Sequence, residues 1–235
     1  MKKDEISKKE IRQKLILIGI VLFLIVIIFL TQEFFIPMIK KQMSLAKIKN
    51  RSLSEGDVII FGNDETNNTW RVLKIEDGKV LLINESCVDI RNGEGYVTTV
   101  DPHMGKSFLA FPYIPENAEI IHSENWDRSG LKKWLNGEYY NNAFNDSDKE
   151  YILDIGYGNV YIFNAEEAVE YIPIDSERIA EYSGAAIPWW LRSTGSYDLE
   201  TYNDYVGRSG RILDNGYAYS ESNIGVRPSI WIRYE

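Results

Sequence analysis

One cysteine, Cys87, and two histidines, His103 and His122, are all that the 235 residues contain of the side chains that most often carry redox and metal chemistry. A lone cysteine excludes an intramolecular disulfide and an all-cysteine zinc site, so the fold rests on its core alone. Cys87 itself reads as a small apolar residue after a strand, with a catalytic thiol as the alternative. The histidines lie near Asp101 and Glu124 in an irregular stretch without His-Glu-x-x-His spacing, and they read as loop residues rather than a metal pair. No Gly-x-Ser-x-Gly elbow, phosphate-binding loop or dinucleotide fingerprint occurs. The run 145–150 (NDSDKE) alternates acidic residues but lacks the glycine and the distal glutamate of a calcium loop, so helix capping accounts for it. No metal and no cofactor is expected.

Positive charge is also scarce over most of the chain. Residues 1–51 carry eleven Lys or Arg against four acidic side chains, a net of +7, which leaves −16 for residues 52–235. A domain so acidic repels phosphate backbones, and nucleic-acid binding is not expected. The basic stretch belongs with a membrane instead. From Leu15 to Leu30 every residue is apolar or glycine, about 24 Å of helix, and counting through Ile36 extends this to roughly 33 Å, enough to span. Pro37 is expected to end the helix. The chain then divides into a short basic tail (1–14), a transmembrane helix (15–36) in contact with membrane lipid, a stalk (37–54) with a helical pattern, and a globular domain (55–235).

A cleaved signal peptide is the competing reading, but no small-x-small site follows Leu30 directly, and Ser44-Leu45-Ala46 lies far downstream. The processing Gly-Phe junction and early helical glutamate of a pilin are absent. An uncleaved signal-anchor fits better. Lys2, Lys3, Lys8, Lys9, Arg12 and Lys14 nearly balance Lys40, Lys41, Lys47, Lys49 and Arg51, but the first group sits closer to the apolar edge. The expectation is a single-pass protein of the cell membrane with its domain outside.

Within the domain, Asp57–Phe61 reads as a strand, and 69–75 with 79–84 flank Asp77-Gly78, the signature of a tight type I′ hairpin. Residues 86–125 have no clear period and read as a long irregular connection. A helix is expected from Arg128 to Asn136, capped by Asp127 and stopped by Gly137, with Leu131, Trp134 and Leu135 facing the core. Capping boxes at Ser147…Glu150 and Asn164…Glu167 predict two more short helices, the first carrying Tyr151 and Ile152 inward. The last quarter returns to strands at 189–192, 205–206, 211–213, 217–219 and 225–232. Strands, helices, then strands indicate an α+β fold.

Several ordered motifs resemble a bacterial surface domain of unknown function, family 6273. They are Trp70-Arg71-Val72-Leu73, Trp126…Ser129…Leu131…Trp134-Leu135-Asn136, 160–167 (VYIFNAEE), Trp189-Trp190-Leu191-Arg192-Ser193 and Gly225-Val226-Arg227-Pro228. The likeness covers about residues 56–232 and departs at Thr194, where the family often has proline. It carries no established activity. The closing pair of motifs is also similar to C-type-lectin-like and formylglycine-generating-enzyme-like domains, which implies a mixed fold whose first and last strands pair beneath long irregular loops. Formylglycine chemistry needs a cysteine pair this chain lacks, and the calcium-binding triplets of C-type lectins (Glu-Pro-Asn, Gln-Pro-Asp, Trp-Asn-Asp) do not occur.

Two arginines focus the search for a site. Arg192 and Arg227 each lie in a β run among aromatics, where a charge needs partners. Either they form structural ion pairs and bonds to loop carbonyls, or they underlie a ligand site with Asn203, Asp204 and a tyrosine-rich loop above. Adjacent Trp189 and Trp190 point oppositely, so either both pack in a core or one of them, Trp190 or Trp189, offers an open face for stacking. The binding candidates are thus Trp190, Arg192, Asn203, Asp204 and Arg227. The expected function is a surface-exposed, non-enzymatic module that binds a glycan, peptide or neighbouring surface protein. A carboxylate-based wall-modifying enzyme and a subunit of a membrane assembly are the alternatives.

Overall fold

The structure is a computed structural model that describes residues 2–63, 68–90, 126, 129–194, 203–213 and 224–234. The chain forms two compact units, 1–46 and 47–235.

The first unit is helical. Helix α1 (Lys2–Leu30) leads into a π-helical turn (Thr31–Phe35) and then α2 (Ile36–Lys49). The stretch Arg12–Leu30 is long and apolar enough to cross a membrane, and none of it is buried within the protein. Pro37 does not end the helix as expected. In an unbroken α-helix its ring would meet the carbonyl four residues back and leave a hydrogen bond unmade. The π turn changes register just before it, with the Ile36 amide donating to the Thr31 carbonyl five residues back. The helix therefore continues to Lys49, into the 37–54 segment read as a stalk.

In the second unit, the end of α2 closes in a Schellman motif. Arg51 (φ 50°) takes the left-handed position, its amide donating to the Ile48 carbonyl, and the Ser52 amide donates to the Lys47 carbonyl at 3.0 Å. Lys47 Nζ pairs with Asp57 Oδ2 at 3.0 Å. That contact, with the Ser54 amide, holds the Asp57 carboxyl below its ordinary range. The Leu53 amide donates to the hydroxyl of Tyr234 at 2.6 Å, tying the start of the domain to its last strand.

The first sheet has the order β1 (Val58–Ile60), β2 (Thr69–Glu76), β3 (Lys79–Asn84), β12 (Ser229–Arg233), β5 (Ile152–Leu153), all antiparallel. The β2–β3 turn is the expected one, with Asp77 and Gly78 both at positive φ. Strand β3 is apolar at successive positions rather than alternate ones because both faces are covered, Val80 through Ile83 being fully buried. On this sheet β12 lies between β3 and β5, whereas β1 pairs with β2; the expected pairing of first and last strands is not the one made.

The second sheet runs β10 (Ile212–Leu213), β9 (Asn203–Val206), β8 (Trp189–Thr194), β11 (Gly225–Val226), β4 (Asp89–Ile90), with β8 and β11 parallel. A hairpin of β6 (Ala180–Tyr182) and β7 (Ala185–Ile187) completes the strands among the described residues. Two chain segments cross together from sheet to sheet. The run from β3 to β4 passes through Glu85 and Cys87, and the run from β11 to β12 passes through Arg227 and Pro228. The Asn84 amide donates to the Pro228 carbonyl and the Val88 amide to the Val226 carbonyl, so the pairing continues around the corner. Pro228 is why 225–232 forms two strands rather than one.

The helices are short. Ser129, not Asp127, caps α3 (Gly130–Trp134), its side chain accepting from the Lys132 amide; Asp127 and Arg128 lie outside the described residues. Gly137 does not stop this helix. A π turn (Leu135–Tyr139) carries the chain through it into α4 (Tyr140–Ala143). Asn145 and Asp148 form the capping box of α5 (Asp146–Lys149), two residues earlier than expected, which accounts for the alternating acidic run and leaves Ile152 to strand β5. The Asn164–Glu167 box opens α6 (Ala165–Tyr171) where the sequence placed it. Last among the helices is α7 (Asp175–Arg178). Phe144 joins the helical layer to the first sheet, 5.8 Å from the Phe61 ring and 6.0 Å from that of Trp70.

Candidate functional site

The five candidate residues divide between the second sheet and the corner between sheets. Arg192, on β8, donates from Nη2 to Glu167 Oε1 at 2.5 Å, and its guanidinium carbon lies 3.8 Å from the centre of the Tyr157 ring. Glu167 is held in turn by the Asn164 amide through the capping box. A helix cap thus positions the carboxylate that neutralises a strand arginine, and Tyr157 covers the cation's face.

Arg227 sits at the corner and is 1 % exposed. Its Nε donates to the Asn84 carbonyl at 2.8 Å and its Nη1 to the Arg178 carbonyl at 3.2 Å, while Trp189 lies 5.4 Å away. The Arg178 carbonyl also accepts from Trp189 Nε1 at 2.9 Å. Burial pushes the Arg227 guanidinium down to about 10, still a cation at neutral pH. Arg178 is itself buried, bonding to Gly210 and Ile172 carbonyls and to Asp175. Cys87 shares the corner, and burial pushes its thiol up to about 12, the direction of a buried, structural cysteine.

Arg192 therefore has an ion pair and Arg227 has loop carbonyls, the two structural arrangements the sequence allowed. Trp190 is 3 % exposed and stands in register with Tyr205 across β8 and β9; Trp189 is fully buried. Neither presents an open face. Asp204 is buried, and Asn203 lies at the register position opposite Thr194. Of the two loops expected to carry recognition, 86–125 and 194–224, residues 91–125 with both histidines, 195–202 and 214–223 with the expected strand at 217–219 lie outside the described residues. Among the described residues no group of His, Cys, Asp or Glu can hold a metal ion.

An open cleft lies elsewhere, where β4 meets the helical run 134–143. It has a volume of about 390 Å³, and among the described residues it is lined by Asp89, Glu138, Asn142, Trp134, Tyr139, Val88 and Ala143. The two rings are tilted by 40° with centroids 5.4 Å apart. Tyr139 is further fixed by an edge-on contact with Phe144. Tyr139 is 7 % exposed and packs as core, so half-buried Trp134 is the ring beside the carboxylates and the amide, and the volume is in the range of small-ligand sites.

No family model, characterised protein or solved structure matches this chain. The cleft must therefore be read from its own residues. The sequence conceals it because Gly137 reads as a helix stop. Had the helix been run on, Trp134, Glu138 and Asn142 would have fallen at i, i+4 and i+8, one polar-aromatic face.

Proposed function

We propose that the protein is a membrane-anchored recognition module: the apolar helix 15–36 holds it as a single-pass protein of the cell membrane, the globular domain faces outward, and the β4–α4 cleft binds a glycan, a peptide or a segment of a neighbouring surface protein. The observation that carries this reading is the cleft, with the half-buried Trp134 beside three polar side chains. The exposed apolar helix supports the anchor, and the basic tail close to its start supports the outward orientation. The resemblance to lectin-like domains agrees with a binding role, whereas family 6273 carries no activity to add; in favour of the lectin-like likeness, β3 and β12 bring the N-terminal hairpin and the C-terminal strand into one sheet.

The test is a screen of cell-surface oligosaccharides and peptides against the full chain in detergent micelles, read by tryptophan fluorescence. A saturable ligand whose binding disappears in Trp134→Ala is expected. Ligands that bind Trp134→Ala and wild type equally would remove the cleft from the account. One observation favours a second reading, a carboxylate-based wall-modifying enzyme: Asp89 and Glu138 line the same cleft. Turnover of a bound oligosaccharide, lost in Glu138→Gln, would establish it.

A further inference from the structure

We infer that helix α2 keeps the chain in contact with the bilayer as far as Met43 and presents Lys40 to the phosphates of anionic phospholipids. The inference rests on the reading of 15–36 as a membrane span and specifies the surface next to it. That span already covers the hydrocarbon thickness of about 30 Å, so the residues after Ile36 enter the headgroup layer. Ile36, Ile39 and Met43 recur at i, i+3 and i+7 on one face of α2, and they are 41 %, 52 % and 60 % exposed. The stripe they form is continuous with the span, none of which is buried within the protein. In water it would leave three large apolar side chains solvated; in the interface they pack against the upper acyl chains.

Charge selects the lipid. Lys40 is exposed and follows Ile36 by four residues, so it stands on the same face one turn later, about 6 Å further along the axis. That rise places it in the headgroup layer. Its methylenes can lie along the apolar stripe while the ammonium reaches a phosphate. Residues 34–54 hold five Lys or Arg and no acidic side chain. Lys47 is engaged with Asp57, so Lys40 and Lys41 supply the charge nearest the span on this side. A zwitterionic headgroup brings its own ammonium beside each phosphate, whereas an anionic one leaves net negative charge for the lysines to meet.

The test uses the full chain in phosphatidylcholine nanodiscs, with an environment-sensitive nitrobenzoxadiazole label on Ile39→Cys, Met43→Cys or Lys49→Cys. Cys87 is buried and stays, and the chain without an added cysteine is the labelling blank. Labels at 39 and 43 should be quenched by spin-labelled lipid and shielded from iodide, while iodide reaches the exposed position 49. At equal content, spin-labelled phosphatidylglycerol should quench the label at 43 about fivefold more effectively than spin-labelled phosphatidylcholine, and Lys40→Gln should remove most of that preference. An equal response to the two lipids, or a preference unchanged in Lys40→Gln, overturns the anionic assignment. Iodide reaching 39 and 43 as freely as 49 overturns the contact itself. So does shielding from iodide without quenching by either lipid, because a protein then covers the stripe. In each of these cases, resistance of the chain to alkaline extraction from membranes leaves the anchor standing; its release by alkali overturns both readings together.

Discussion

Replacing Arg227 with methionine tests how the corner between the two sheets is held. Methionine keeps an unbranched apolar stem but removes the donors that reach the Asn84 and Arg178 carbonyls at 2.8 and 3.2 Å. Hydrogen bonds from a charged donor contribute about 1.5–3 kcal/mol each. The longer bond to Arg178 counts at the low end, because that carbonyl keeps its bond from Trp189. Against the loss stands relief of burying a cation, whose cost is visible in the guanidinium being pushed down to about 10. Apolar replacement is neutral when both members of a buried pair are exchanged, but here the carbonyls belong to the backbone and stay. We therefore expect Arg227→Met to lose about 2–4 kcal/mol. Arg227→Lys, with its charge on a single nitrogen, should fall between the two. Urea unfolding followed by tryptophan fluorescence measures this as a lowered midpoint at unchanged slope. An Arg227→Met midpoint equal to or above wild type would refute the assignment of Arg227 as the brace of the corner.

Three further outcomes follow from local geometry and burial. Gly210 (φ +81°) would drive a Cβ into the Asp175 backbone carbonyl, so Gly210→Ala should cost more than about 2 kcal/mol; loss below about 0.5 kcal/mol in the same urea assay would mean the turn relaxes freely. Arg51 holds the left-handed position closing α2, and Arg51→Gly should raise stability by about 0.5–1 kcal/mol, an outcome contradicted by any loss. Burial raises Cys87 from 9.0 to about 12 and Tyr161 above its ordinary 10.0. Both groups keep their protons more tightly when folded, so the stability tied to them is intact below pH 9 and is lost as pH rises towards 12. Arg227 is shifted the other way and favours the folded state only above about pH 10. Urea midpoints measured on either side of pH 9 should therefore fall, and less steeply in Cys87→Ala; a profile the substitution does not change would contradict the burial argument.

The parts of the fold legible in the sequence are those written within a few residues. Asp77-Gly78 encodes its turn through the positive φ both residues adopt, and Asn164 with Glu167 encodes its helix start through reciprocal hydrogen bonds. Expectations failed where a local irregularity or a distant pairing overrides the simple residue rule. Pro37 and Gly137 both read as helix ends, yet in each case a π turn alongside lets the helix run on. The parallel pairing of β8 with β11 joins residues far apart in the chain, and no local pattern announces it. Arg192 and Arg227 read from the sequence as charges needing partners, but sequence alone does not say whether the partner is Glu167, a backbone carbonyl or a ligand. The cleft stayed hidden for the same reason as the helix: its face begins at Trp134 and continues past the glycine.

Exposure of the domain to an external protease in intact cells, beside the same digestion after lysis, tests the central claim most directly. An outward-facing, membrane-anchored module predicts that the 47–235 unit is shaved from intact cells while the 15–36 segment stays with the membrane fraction. Protection of the domain until the cells are lysed would contradict the account, place the cleft on the cytoplasmic side and remove cell-surface ligands from consideration.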